Sequence, residues 1–148
     1  VSSVTGYKEA ARALRQLGRL ATKPVGEASK AALTPILKES KDNLKANDSY
    51  HRGILYRSMQ IRRLKASAAQ IVWAVTATGK GVGIAHLVEF GTEAHWQPKR
   101  NWMHPGARPF PFLTPAFHEN DHLAIQIFGK AYGQALEAQA ARLASRVR

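Results

Sequence analysis

Gln70-Ile71-Val72-Trp73-Ala74-Val75-Thr76-Ala77-Thr78 is rich in Val, Ile, Trp and Thr. Branched and aromatic side chains suit a pleated, half-buried surface, so this segment reads as the clearest strand. Met59-Gln60-Ile61-Arg62-Arg63-Leu64 supplies an antiparallel partner, joined to it through Lys65 to Ala69. Gly79, Gly81 and Gly83 then mark a turn. Their G-x-G-x-G run lacks the strand–turn–helix spacing of a dinucleotide site, and its lysine is not placed as in a P-loop. A glycine-rich hairpin connection is the better reading.

Helical patterns flank this sheet. From Tyr7 to Leu20, Ala10, Ala13, Leu14, Leu17 and Leu20 recur at three- and four-residue steps. Gly18 weakens the end of that helix, and Thr22-Lys23-Pro24 suits the start of a second. The second runs to about Ala46 with Ala28, Ala32, Leu33, Ile36, Leu37, Ser40 and Leu44 as its stripe. Pro35 should bend or split it near Thr34, because proline removes a hydrogen bond and crowds the preceding turn. Asn43 to Tyr50 is polar and loop-like. Ile84 to Phe90 reads as a helical turn capped by Gly91, with a strand as the alternative.

Thr92 to Pro111 holds two tryptophans, four prolines and two histidines, and is expected to be an extended loop of functional importance. Thr114-Pro115 offers an N-cap with proline at the first helical position. The last helix should run from there almost to Arg148, with Phe117, Ala124, Phe128, Ala131, Tyr132 and Ala135 on one face. Beyond Glu137, small alanines imply close packing on another helix. The expected fold is thus α+β: two N-terminal helices, a small antiparallel sheet, and a long C-terminal helix packed on the sheet. One domain over 1–148 is expected, with helical 1–50, sheet region 53–90, loop 92–111 and C-terminal helix 115–146. No internal repeat is visible.

At 148 residues, 45% hydrophobic and 22% charged, the chain has ordinary globular values and can bury a modest core. No apolar run approaches the roughly 18 residues that span a bilayer. The start, Val1 to Gly6, lacks the features of a signal peptide, and Val1 is compatible with removal of an initiator methionine. Cysteine is absent, which excludes disulfides and thiolate metal sites. A soluble intracellular product is expected. The distinctive bulk property is a net charge of +12, of which +9 lies at or before Ala66 and +3 after it. Such a surplus attracts polyanions, whether nucleic acid or acidic protein surfaces, and also fits a merely solvated basic face.

Two blocks carry a resemblance. Ala85-His86-Leu87-Val88-Glu89-Phe90-Gly91-Thr92 is followed by Pro109-Phe110-Pro111-Phe112-Leu113-Thr114-Pro115-Ala116. Upstream stands Gly53-Ile54-Leu55-Tyr56-Arg57-Ser58. The chain resembles the small neck and tail-component family (head–tail joining, tail completion) of long-tailed bacteriophages, which includes gene product ten of phage HK-ninety-seven. That family shows an apolar-Glu-Phe-Gly-Thr element, a variable loop, and Pro-Phe-Leu-x-Pro-Ala opening a C-terminal helix. A Gly-x-Leu-x-x-Ser element introduces its strands. The matching positions are Gly53, Leu55, Ser58, Glu89, Phe90, Gly91, Thr92, Pro109, Phe112, Leu113, Pro115 and Ala116. Two departures stand out: a longer, more aromatic loop between the blocks, and no proline in the polar segment before Gly53.

The resemblance implies a structural virion protein rather than an enzyme, without a cofactor. Made in the host cytoplasm, it would sit at the head–tail junction or upper tail as a ring of copies. Its partners would be itself and adjacent head-completion, connector or tail-tube proteins, with non-specific contact to passing DNA and no membrane. Chemically, the motif residues read as scaffolding. Gly91 supplies a backbone angle other residues avoid, and Phe90, Phe112 and Leu113 read as core or interface anchors. Pro109, Pro111 and Pro115 stiffen the path into the last helix. Glu89, amid apolar neighbours, would pair with an arginine such as Arg108 or accept amide hydrogens near Thr92. Trp96, Trp102, Arg108 and Phe110 are candidate interface residues.

Two other classes compete. Arg57, Arg62, Arg63 and Lys65, with Trp73 nearby, form a candidate polyanion surface for a nucleic-acid-binding protein, and Lys99, Arg100 and Arg108 interleave with Trp96 and Trp102. A solvated face is the simpler reading of the strand arginines. His118-Glu119-Asn120-Asp121-His122 matches H-E-x-x-H, which on a helix puts two histidines on one face for zinc, with Glu119 activating water. No further histidine follows, so a third ligand would have to come from elsewhere, with His104 or His95 as candidates. Acidic residues in a first helical turn are also explained by the helix dipole.

Overall fold

The computed structural model describes residues 7–46, 53–66 and 71–146. Its order is α1 (Tyr7–Ala46), α2 (Ile54–Ser58), β1 (Gln60–Ala66), β2 (Ile71–Thr76), α3 (Val82–Phe90), β3 (His95–Gln97), β4 (Trp102–His104) and α4 (Leu113–Arg146). Helix and antiparallel sheet are mixed, as an α+β chain requires. Among the described residues no helix is long and apolar enough to cross a membrane.

The N-terminal region departs from expectation, forming one 40-residue helix instead of two. Both Pro24 and Pro35 lie inside it. Each proline withholds an amide from the carbonyl four residues earlier, a cost of about 3 kcal/mol in an isolated helix. Continuity follows from burial. Pro24, Ala28, Ala32, Ile36, Ser40 and Leu44 are all buried at a strict four-residue step. Four residues turn the helix by about 40° more than a full circle, so this line winds about 200° around α1 over its length. Its two ends therefore face different partners. Ser40, fully buried, donates its hydroxyl to the Ile36 carbonyl at 2.6 Å. The side chains of 7–23 and the polar segment 47–52 lie outside the described residues.

Along its earlier part α1 packs on α4, its most extensive partner. Leu33 and Ile36 lie beside Leu113 and Phe117, while Pro24 and Glu27 lie beside Ala135, Ala138 and Arg142, so the pair is antiparallel. The C-terminal helix thus packs chiefly along α1, not on the sheet as expected. The alanines Ala28 and Ala116 are both fully buried and allow the backbones to approach. At its other end Leu44 joins Leu55, Met59, Ala77 and Phe112 in the core, with Leu37, Val75, Ala85, Val88 and Leu113 around them.

β1 and β2 pair antiparallel as the residue pattern predicts, from Gln60 opposite Thr76 to Ala66 opposite Ile71. The register shifts between Arg63 and Lys65, leaving Leu64 58% exposed. Trp73 lies on α1 at Gly26, where an added Cβ would stand 3.3 Å from the indole. Lys30 Nζ sits 5.1 Å from its ring centroid, an attractive cation–π distance. Ile84–Phe90 is helical, extended back to Val82. The expected loop 92–111 contains a further hairpin, β3 with β4, in the register His95–His104, Trp96–Met103 and Gln97–Trp102.

Candidate functional site

The two sequence blocks that flank this hairpin meet at Glu89. Its residue is only 7% exposed, at the end of α3. Oε2 accepts the amides of Phe112 at 2.9 Å and Leu113 at 3.0 Å, and Oε1 accepts that of Thr114 at 2.9 Å. The first amides of a helix have no intrahelical acceptor, and here a carboxylate from another helix supplies it. Of the alternatives raised for Glu89, amide acceptance is the observed one, but at the start of α4 and not near Thr92. This also explains why α4 starts at Leu113, two residues before Pro115. Thr114 is not the cap; its amide is one of those being capped. Burial alone would raise the Glu89 pKa. The hydrogen bonds from Leu113, from the Thr114 side chain and amide, and from Phe112 outweigh it and hold the carboxyl below its ordinary value.

Glu89 does this only because the chain returns to it. Thr92 and Ala107 exchange two backbone hydrogen bonds, each 2.9 Å, and the Phe110 amide donates to the Val88 carbonyl at 2.8 Å. Gly91 has φ +72°, and an added Cβ there would come within 2.6 Å of the Ala107 carbonyl oxygen and 2.8 Å of the Pro109 nitrogen. Gly106, at φ +87°, would press a Cβ onto the Thr92 carbonyl oxygen. Both positions need a left-handed backbone and a bare α-carbon, which only glycine supplies without strain. Below them Phe112 is 2% exposed and Ala116 fully buried. Pro115 is half-buried and Pro109 exposed.

Gly53-Leu55-Ser58 is likewise structural. Gly53 is buried at φ +60° before α2, and Leu55 is a core residue. Ser58 donates its hydroxyl to the Leu55 carbonyl at 2.7 Å, while its own carbonyl accepts the Thr78 amide at 3.0 Å. Gly81 packs directly on the Ser58 side chain.

What this frame leaves outward is aromatic. Phe90 is 75% exposed, which removes it from the core, and Trp96, Trp102 and Phe110 are 50%, 46% and 37% exposed. Arg108 is exposed as well. Met103, Val82 and Leu87 are exposed too and were not foreseen. On one face of the hairpin the His95 and His104 rings stack at 5.0 Å, with Trp102 edge-on to His104 at 5.3 Å. A turn at Pro98–Arg100 joins the strands, closed by Asn101 at φ +48°. The sequence signal for it is Pro98 to Asn101 between two tryptophans, since asparagine tolerates that conformation.

The basic cluster is dispersed. Arg57 is on α2, while Arg62 and Arg63 are consecutive on β1 and point to opposite faces. All three are exposed, and the Lys65 side chain lies outside the described residues. His118 and His122 occupy the first turns of α4. Both are exposed; His118 lies edge-on to Phe117, and His122 lies 3.8 Å from the Asp121 carboxylate. No three His, Cys, Asp or Glu among the described residues are grouped to hold a metal ion, so neither His95 nor His104 completes a set with them.

No family model, curated protein or solved structure matches the chain.

Proposed function

We propose that the chain is a structural protein of the bacteriophage neck or upper tail, working as a ring of copies that joins head and tail or completes the tail. One observation carries this reading: Glu89 ties the two motif blocks together, and Glu89, Gly91, Phe112 and Ala116 serve as pins instead of reactive groups. A carboxylate committed to three amides is unavailable for general acid or base work. Phe90, Phe110 and the hairpin tryptophans project from that unit. Exposed aromatic anchors on a stiff support are what assembly against neighbouring subunits needs, because little ordering entropy remains to be lost. A ring also requires head-to-tail contact between two different surfaces, and the exposed hairpin and the apolar cleft between β2 and α4 are different surfaces on one chain.

Cryo-electron microscopy of the particle encoding the chain tests the proposal. Ring density of this fold at the head–tail junction or upper tail is the expected result. Its absence from mature particles and from assembled tails would overturn it.

A further inference from the structure

The hairpin offered above as a ring contact also holds a cleft of different chemistry. It has a volume of about 640 Å³ and is lined by His95, Trp96, Gln97, Pro98, Lys99, Arg100 and His104. None of these residues is acidic, and two are basic, Lys99 and Arg100. Lys99 and Arg100 are exposed at the turn, and Trp96 presents half of its surface to solvent. The histidines are also oriented. His104 Nδ1 accepts the Gly106 amide at 3.0 Å, so its proton resides on Nε2, which is a donor. His95 Nδ1 lies 3.0 Å from the Glu93 carbonyl, to which it donates. Trp96, next to His95 on β3 and opposite Met103, faces the other side of the hairpin from the histidines, so a ligand that uses both the cations of the turn and this open indole must pass over the β3 edge, as an extended single strand can.

We propose that this cleft binds a short segment of single-stranded nucleic acid. Lys99 and Arg100 would engage neighbouring phosphates, His104 Nε2–H would donate to a phosphate oxygen, and Trp96 would stack on one base. A duplex keeps its bases inside the stack and would use the cations alone. An acidic peptide would leave the indole without its partner. This places polyanion binding at the hairpin and not at the β1 arginines, whose side chains diverge. The inference goes beyond the ring, and it is tested on the isolated protein, so either can fail while the other stands.

The experiment is fluorescence anisotropy of a short fluorescein-labelled oligo-dT across a sodium chloride series. Two double variants are compared, Lys99→Ala/Arg100→Ala and Arg62→Ala/Arg63→Ala, because both remove the same charge from exposed positions. The first should flatten the plot of log affinity against log salt by about 1.4, or about 0.7 for each phosphate no longer neutralised. The second should leave the slope near that of the wild type. Trp96→Ala should weaken binding about 5- to 160-fold, the span of stacking one base. Far-UV circular dichroism checks that each variant is folded. Equal reductions in the two double variants would mean attraction by bulk charge and overturn the proposal. So would an unaffected Trp96→Ala protein, tighter binding of a duplex than of its single strand, or displacement of oligo-dT by an equimolar acidic peptide.

Discussion

Glu89→Gln changes one charge and almost no volume, and its cost can be worked from the three amides. Glutamine has one acceptor oxygen. Placed where Oε2 stands, it keeps the Phe112 and Leu113 amides as neutral bonds, while its NH₂ faces the Thr114 amide, donor against donor. A hydrogen bond to a charged group contributes about 1.5–3 kcal/mol and a neutral one about 1. Two weakened bonds and one broken, with Thr114 exposed enough to recruit water, come to about 3 kcal/mol. That is a large part of the roughly 5–15 kcal/mol typical of a domain. With a urea dependence of about 2 kcal/mol per molar, the unfolding midpoint should fall by about 1.5 M. Acid should erase the difference. The Glu89 carboxyl has a lower pKa folded than unfolded, so its contribution is complete above the unfolded pKa and is lost as pH falls through the folded one. Urea titrations followed by circular dichroism at neutral and acid pH read both effects. Coincident midpoints at neutral pH, or a gap that acid does not narrow, would refute the reasoning.

Gly91→Ala combines a left-handed backbone with contact against the Ala107 carbonyl, and should cost about 2 kcal/mol, or roughly 6 °C in a calorimetric scan. Hydrogen exchange at the Ala107 amide, which bonds the Thr92 carbonyl, should accelerate in the same variant. Gly81→Ala drives a methyl into the Ser58 side chain, and adding Ser58→Gly should recover part of the lost thermal stability. A Ser58→Gly shift of the same size with and without Gly81→Ala would show that the two residues do not meet. His118→Ala/His122→Ala should leave zinc uptake by calorimetric titration and the melting temperature unchanged, since the exposed pair lacks a third ligand among the described residues.

How much of this was legible depends on where the determining contact lies. The β1–β2 pair could be read because Val, Ile, Trp and Thr declare a strand locally, and Gly91 declares the end of α3. Pro35 misled in the opposite way: its local cost is genuine, but a buried line from Pro24 to Leu44 outweighs it, and a winding four-residue step is visible only once both partners of α1 are known. The hairpin escaped because its strands are three residues each, and Trp96 and Trp102 stand there among His, Gln and Met with no β-branched neighbour to extend the signal. Glu89 was recognisable as a structural carboxylate, whereas the amides that donate to it lie 23 to 25 residues downstream, beyond any local rule. The β1 arginines formed a cluster in sequence only, since neighbours on a strand face apart.

The reciprocal bond between Thr92 and Ala107 closes the hairpin at its base, and the Glu89 and Val88 hydrogen bonds that tie the two flanking helices together lie on the far side of it. Chain length between positions 93 and 106 is therefore decoupled from the core. Doubling that excursion would add only about 0.6 kcal/mol of closure entropy, less than a single ordinary core substitution. The fold can thus accept insertions, deletions or a grafted peptide there while Glu89 still finds its three amides. Diversification of what the molecule touches can proceed at this one doorway without renegotiating how the molecule folds.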